Sequence, residues 1–276
     1  MSKVFAEGIQ EIWLVPGFHS DVVWLDDQRD YTKVLLEALK QNLAVCRVDS
    51  DYGFFVHELT YLKPYLAVYP EDRALLRELI NAGRVGTGGS HSQPSEPLIG
   101  PEGLVRNVLY GKVYHQDMLG DDPVIYMGWD IFGHCAQLGQ VLRKAGFIGA
   151  IWSKDIRGAE PVFWHLSLDG EPLLFSRTNY GILESGIEDE LMGHLMDHSH
   201  ELASLGFSSD LRLDALDFKP PTAWMMGRCG ELRRQHPRIV VSGTGHEQWF
   251  RKTLAEIEEK NLSVPTTARD FEWHHQ

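Results

Sequence analysis

Over its first half the chain alternates short apolar runs with stretches of helical period, and that alternation confines it to a parallel α/β sheet or barrel. Ile12 to Val15, "VGTGG", "PVIYMGWD" and "GAIWS" have the composition of strands, and "LAVCRVD" is expected to be another, buried one. Between them, "QRDYTKVLLEALKQN" sets Val34, Leu35, Ala38 and Leu39 on one helical face. "LVRNVLYGKVYHQDML" spaces Val105, Leu109 and Val113 four apart, and "AQLGQVLRKAGF" is a further helix. Phe54 to Arg84 is expected to give two helical segments punctuated by Pro64 and Pro70. The second of these carries Glu71 and Asp72 in its first turn, where the helix dipole favours them, and ends at Gly83. Asp169-Gly170 between two alternating runs signals a hairpin. Glu188 to Asp217 has helical character, and "RIVVSGTGHEQ" is a strand entering a glycine-rich loop before the helix "WFRKTLAEIEEKN". No linker or repeat interrupts the pattern, so residues 1–276 are expected to form a single domain.

Composition removes several classes of function. A net charge of −13 opposes nucleic-acid binding, which needs clustered Lys and Arg. The three cysteines, Cys46, Cys135 and Cys229, have neither the spacing of a zinc ribbon nor the even number of a disulfide framework. The N-terminal stretch has acidic residues where a signal peptide would be apolar, and no apolar run approaches a membrane span. A cytoplasmic protein that contacts neither membrane nor nucleic acid is the expectation.

Parallel α/β folds collect reactive groups at the carboxyl ends of their strands. Three such ends here are loaded: His19, Asp21 and Trp24 after the first strand, Asp130 and His134 in "YMGWDIFGH", and His246 and Glu247 in "VVSGTGHEQ". On an extended segment, residues two apart point the same way, so His19 and Asp21 can hold one cation. An imidazole nitrogen with carboxylate oxygens suits Zn²⁺, and Asp130 would add a third ligand. Trp24 offers a flat apolar face on which a sugar ring can pack.

The spaced motifs His19-x-Asp21-x-x-Trp24 and Asp130-x-Phe132-Gly133-His134 are joined by Gln137, Leu138, Gln140, Leu142 and the turn Ala145-Gly146-Phe147. Together they resemble glycoside hydrolase family 38, the zinc-dependent retaining α-mannosidases. "GRVGTGGSHSQPSEPL", "VVSGTGHEQ" and "TTARDFEW" extend the likeness. The resemblance implies a seven-stranded, irregular (β/α) barrel of the glycoside hydrolase/deacetylase type, forming the N-terminal part of a longer enzyme. It implies that His19, Asp21 and Asp130 bind Zn²⁺, that Asp130 is also the nucleophile, and that Trp24, Phe132 and His134 line a site for mannose-containing oligosaccharides.

Two features depart from the family. Its acid/base is an aspartate in a G-x-D motif, and the matching stretch Gly243-Thr244-Gly245 ends in a glycine. Glu247 or His246 would have to substitute. Its fourth zinc ligand is a histidine far along the chain, where this sequence offers only His274 and His275. Two alternatives therefore stand beside the mannosidase: a non-catalytic carbohydrate- or metal-binding homologue without the general acid, and a deacetylase-like zinc hydrolase.

Overall fold

A computed structural model describes residues 6–24, 26–154, 158–178, 198–217 and 234–271, for 214–217 without side chains. The strands are β1 (Glu11–His19), β2 (Phe54–Glu58), β3 (Val85–Ser90), β4 (Ile125–Gly128), β5 (Gly149–Trp152), β6 (Val162–Leu166), β7 (Pro172–Arg177), β8 (Ser209–Asp217), β9 (Ile239–Val241) and β10 (Thr266–Thr267). The helices are α1 (Gln28–Val48), α2 (Leu59–Val68), α3 (Arg73–Asn81), α4 (Gly100–Tyr114), α5 (Leu138–Lys144) and α6 (Gly245–Lys260). The fold class is α/β, as expected. No helix among the described residues is long and apolar enough to cross a membrane. Cys229, His274 and His275 lie outside the described residues.

Three segments differ from their sequence pattern. "LAVCRVD" is no strand: α1 runs for 21 residues, because Leu43 and Cys46 continue the buried row begun by Leu35 and Leu39. Asp27 caps its N-terminus, accepting from the N–H groups of Arg29 and Asp30. At its other end Arg84 donates to the carbonyls of Cys46 and Asp49, which the helix end leaves without partners, and to that of Tyr52 in the loop beyond. "FFVHE" opens the next segment as strand β2 rather than helix, buried at all five positions. Within the span expected to be helical, residues 198–204 are helix but Ser209–Asp217 is strand β8. Its leucines alternate, with Leu211 and Leu213 both buried. The hairpin at Gly170 (φ 76°) and the left-handed Gly83 (φ 69°) are as expected.

The chain falls into two compact units. The first is Met1–Val56, Thr60–Thr87 and Tyr180–Thr253; the second is His57–Leu59, Gly88–Asn179 and Leu254–Gln276. One sheet has the order β3-β2-β1-β8, with β9 also paired to β1, and β2, β8 and β9 all run parallel to β1. Gly17 lies in register with Phe55, and a side chain there would collide with the Phe55 ring. The first unit buries Ile12, Leu14, Val15, Phe18, Leu35 and Leu39 in its core.

The second sheet has the order β10-β6-β7-β5-β4, parallel at β4–β5 and β5–β7 and antiparallel in the β6–β7 hairpin. Its core gathers on Trp152, whose ring centre is 4.3 Å from that of Phe175 and 5.4 Å from that of Phe271. Fully burying an aromatic side chain contributes roughly 1.5–3 kcal/mol. α4 carries two apolar rows. Leu104 and Val108 enter this core, whereas Val105, Leu109 and Val113 are 44%, 50% and 43% exposed.

Candidate functional site

In the first unit, β1 runs to His19, so the loop expected to follow Val15 begins at Ser20. The strand persists because parallel neighbours pair with it over its whole length, Glu11↔Ser209 through His19↔Asp217. His19 is buried at the strand's end and Asp21 is half-buried. A ring nitrogen of the one and a carboxylate oxygen of the other lie within 4.8 Å. Tyr61 fixes the turn between them: its hydroxyl donates to the Ser20 carbonyl at 2.5 Å and accepts from the Ser20 N–H at 3.1 Å. The Tyr61 ring stacks on Phe18 at 5.5 Å. Trp24 is 62% exposed. Nitrogen and oxygen donors so placed match the ligand chemistry of Zn²⁺. The sequence offered no sign of Tyr61's part, because an aromatic on a helix is ordinarily core.

The glycine-rich loop after β9 also lies in the first unit. A Cβ on Gly243 would strike the Arg84 carbonyl, and one on Gly245 would lie 3.0 Å from Cγ2 of Val15. Glycine at 243 is a packing requirement, whereas at 245 a side chain would need Val15 to shift by a few tenths of an ångström. His246 is fully buried with its ring beside Phe55, and burial pushes its pKa down to about 4. It is therefore neutral at pH 7 and carries no proton for a leaving group. Glu247 occupies the first turn of α6 and pairs with Arg251 at 2.8 Å.

A carboxylate residue that the sequence reading passed over ends the strand paired with β1. Asp217 ends β8, its Cα in register with that of His19. The alternation of "LRLDALD" is the signal that would have found this strand.

In the second unit, β4 ends at Gly128, where a Cβ would lie 2.6 Å from Cδ1 of Trp152. The loop beyond is tightly held. Gln93 Oε1 accepts from the Trp129 N–H at 2.5 Å, and Ser153 Oγ accepts from the Asp130 N–H at 3.1 Å. Asp130 has φ 48°, in the left-handed region that a non-glycine residue enters at a cost of about 1–3 kcal/mol. Its Oδ1 is 2.5 Å from Nζ of Lys154. Phe132 is half-buried, and the Lys154 ammonium lies 4.0 Å from its ring centre. His134 is fully buried, stacked on Trp152 at 4.1 Å, with Nδ1 3.3 Å from Oε1 of Glu96. Its Nε2 donates to the Lys154 carbonyl at 3.0 Å.

Comparison with known proteins follows this geometry. The model of the glycosyl hydrolases family 38 N-terminal domain matches residues 10–211. Alpha-mannosidase 2 of Mus musculus is 25% identical over 191 residues, covering 67% of this chain and 16% of that protein. The chain thus spans about a sixth of that relative's length. An alpha-mannosidase from Enterococcus faecalis superposes with a TM-score of 0.74 at 17% identity, over 95% of this chain and 31% of that one. A polysaccharide-deacetylase-type protein from Mycobacterium smegmatis does so at 0.61 and 10%, over 94% of each chain. These two share the fold.

Proposed function

The chain belongs to glycoside hydrolase family 38, and from that premise we propose that it is the catalytic domain of a retaining, zinc-dependent α-mannosidase acting on mannose-containing oligosaccharides. The observation that carries this is the His19–Asp21 pair at the end of β1, an imidazole and a carboxylate within 4.8 Å. The family likeness adds Asp130 as the third ligand and as nucleophile. Bound by these residues, Zn²⁺ would supply a Lewis-acid hold on sugar hydroxyls.

The chain's own groups do the rest. Asp130 attacks the anomeric carbon and forms a glycosyl ester while a second carboxyl group gives its proton to the departing oxygen. Water then cleaves the ester, and its proton returns to that second group. We assign the second role to Asp217 in preference to Glu247 and His246. Neutral His246 has no proton to give, and Glu247 is paired with Arg251 on a helix. Asp217 sits at a strand's carboxyl end beside His19, on parallel strands about 4.8 Å apart. Trp24 and Phe132 offer apolar faces for the sugar. His134, with both nitrogens engaged, acts through the residues it holds.

The test is labelling. The zinc-supplemented chain, treated with a fluorinated mannosyl fluoride, should carry the sugar on Asp130. Label on another carboxylate would overturn the assignment. Release of acetate from an acetylated glycan without mannoside cleavage would favour deacetylase chemistry instead.

A further inference from the structure

Lys154 stands two residues past β5, as Asp130 stands two past β4, and the two strands pair in parallel with Gly128 opposite Trp152. The ammonium is 2.5 Å from Oδ1 of Asp130 and 4.0 Å from the centre of the Phe132 ring. The backbone on each side of this ion pair is fixed separately. His134 donates to the Lys154 carbonyl, and Ser153 Oγ accepts from the Asp130 N–H. His134 is itself held between Glu96 and the face of Trp152. Here one ammonium position serves a carboxylate and an aromatic face at once.

We propose that Lys154 is a stand-in cation: its ammonium occupies Asp130 until a divalent metal takes the carboxylate, and then gives up the carboxylate while keeping the Phe132 face. This rests on Asp130 being a metal ligand. An ammonium and a dication on one carboxylate lie within a few ångströms and repel. The Phe132 ring gives the displaced ammonium an attractive seat, and lysine's flexible stem permits the move where a rigid guanidinium fork would resist it. The metal-free chain thus keeps its nucleophile neutralised, and the metal binds against an internal competitor, which lowers its apparent affinity.

Two measurements on the full chain test this. In calorimetric zinc titrations, Lys154→Met should bind about tenfold tighter than wild type, while Lys154→Arg, which keeps the charge and yields the carboxylate less readily, should bind no tighter than wild type. At one fixed pH, acylation of Lys154 by an activated ester, read by peptide mass, should be slow in the metal-free chain. It should be several-fold faster in the zinc-loaded chain and in Asp130→Asn. Zinc affinity unchanged or weakened in Lys154→Met overturns the proposal, as does slow acylation that persists after zinc loading or in Asp130→Asn. If zinc does not bind wild type, or binds His19→Ala equally well, the metal assignment itself falls. Those results are distinct from zinc binding that leaves Lys154 in place.

Discussion

The carboxyl ends of β1 and β4 carry similar cargo and hold it by opposite means. At β1 the hydroxyl of Tyr61 clamps Ser20, and beyond it the chain runs out to an exposed Trp24. At β4 the loop is tied by Gln93, Ser153 and Lys154, and its histidine is pinned between Glu96 and Trp152. The contrast fits the two tasks proposed for these ends. A cation would draw the proposed ligand pair into its final geometry. A nucleophile has to be aimed before the sugar arrives, since misplacement by about 1 Å can cost about a hundredfold in rate.

The hardest blow to this contrast is Asp130→Asn. Asparagine accepts the left-handed conformation, so the thermal midpoint should move by only a few degrees while cleavage of an aryl α-mannoside falls about 10⁴-fold or more. Substantial residual cleavage would place the nucleophile elsewhere. Asp217→Asn should cost about 10²–10⁴-fold on a natural mannoside and far less on one with an acidic phenol, which leaves without a proton. Equal losses on both substrates would remove its acid role.

A third test concerns His246, which packs in the first unit. Its pKa of about 4 lies below the usual 6.5, so the unfolded chain binds a proton that the folded chain refuses. Stability should therefore be complete above pH 6.5 and decline as the pH falls towards 4, by about 3 kcal/mol. His246→Leu should flatten that decline in denaturant titrations at pH 7 and pH 4. The smallest effects separate the two strand ends most finely. Tyr61→Phe, which strips the clamp from Ser20, should cost about 1–3 kcal/mol and weaken zinc binding about tenfold. Ser153→Ala, which loosens Asp130, should lower kcat by more than it weakens zinc binding, and the opposite split would erase the distinction.

How much of this was legible in the sequence follows from period. Where a segment buries one face, as in α3, or both, as in β4, its apolar spacing announced it. "LAVCRVD" misled because a short run with two valines has the composition of a strand, and only the longer row from Leu35 shows that the helix continues. β8 was missed because Asp210 and Arg212 are buried among its leucines. There the pair is stabilised by contact with one another at 3.3 Å and by His198 on Asp210 at 2.8 Å. That satisfaction comes from tertiary structure, and no window of sequence displays it. Motif spacing singled out His19, Asp21 and Asp130, but not the residues that hold them. Tyr61, Ser153 and Lys154 reach the site from other elements, and nothing in their own neighbourhoods marks them. The glycine at 245 suggests a lost acid, and a side chain there would need Val15 to give by a few tenths of an ångström.

The backbone of Asp130 also governs how this chain can drift over generations. With φ at 48°, position 130 readily admits aspartate, asparagine and glycine, whereas alanine or a branched residue strains the turn. Selection for a folded product would therefore tolerate three residues there, and selection for chemistry only one. Descendants that have given up catalysis should carry asparagine or glycine at this position far more often than any other replacement, so a single residue would distinguish an inert relative from a working one.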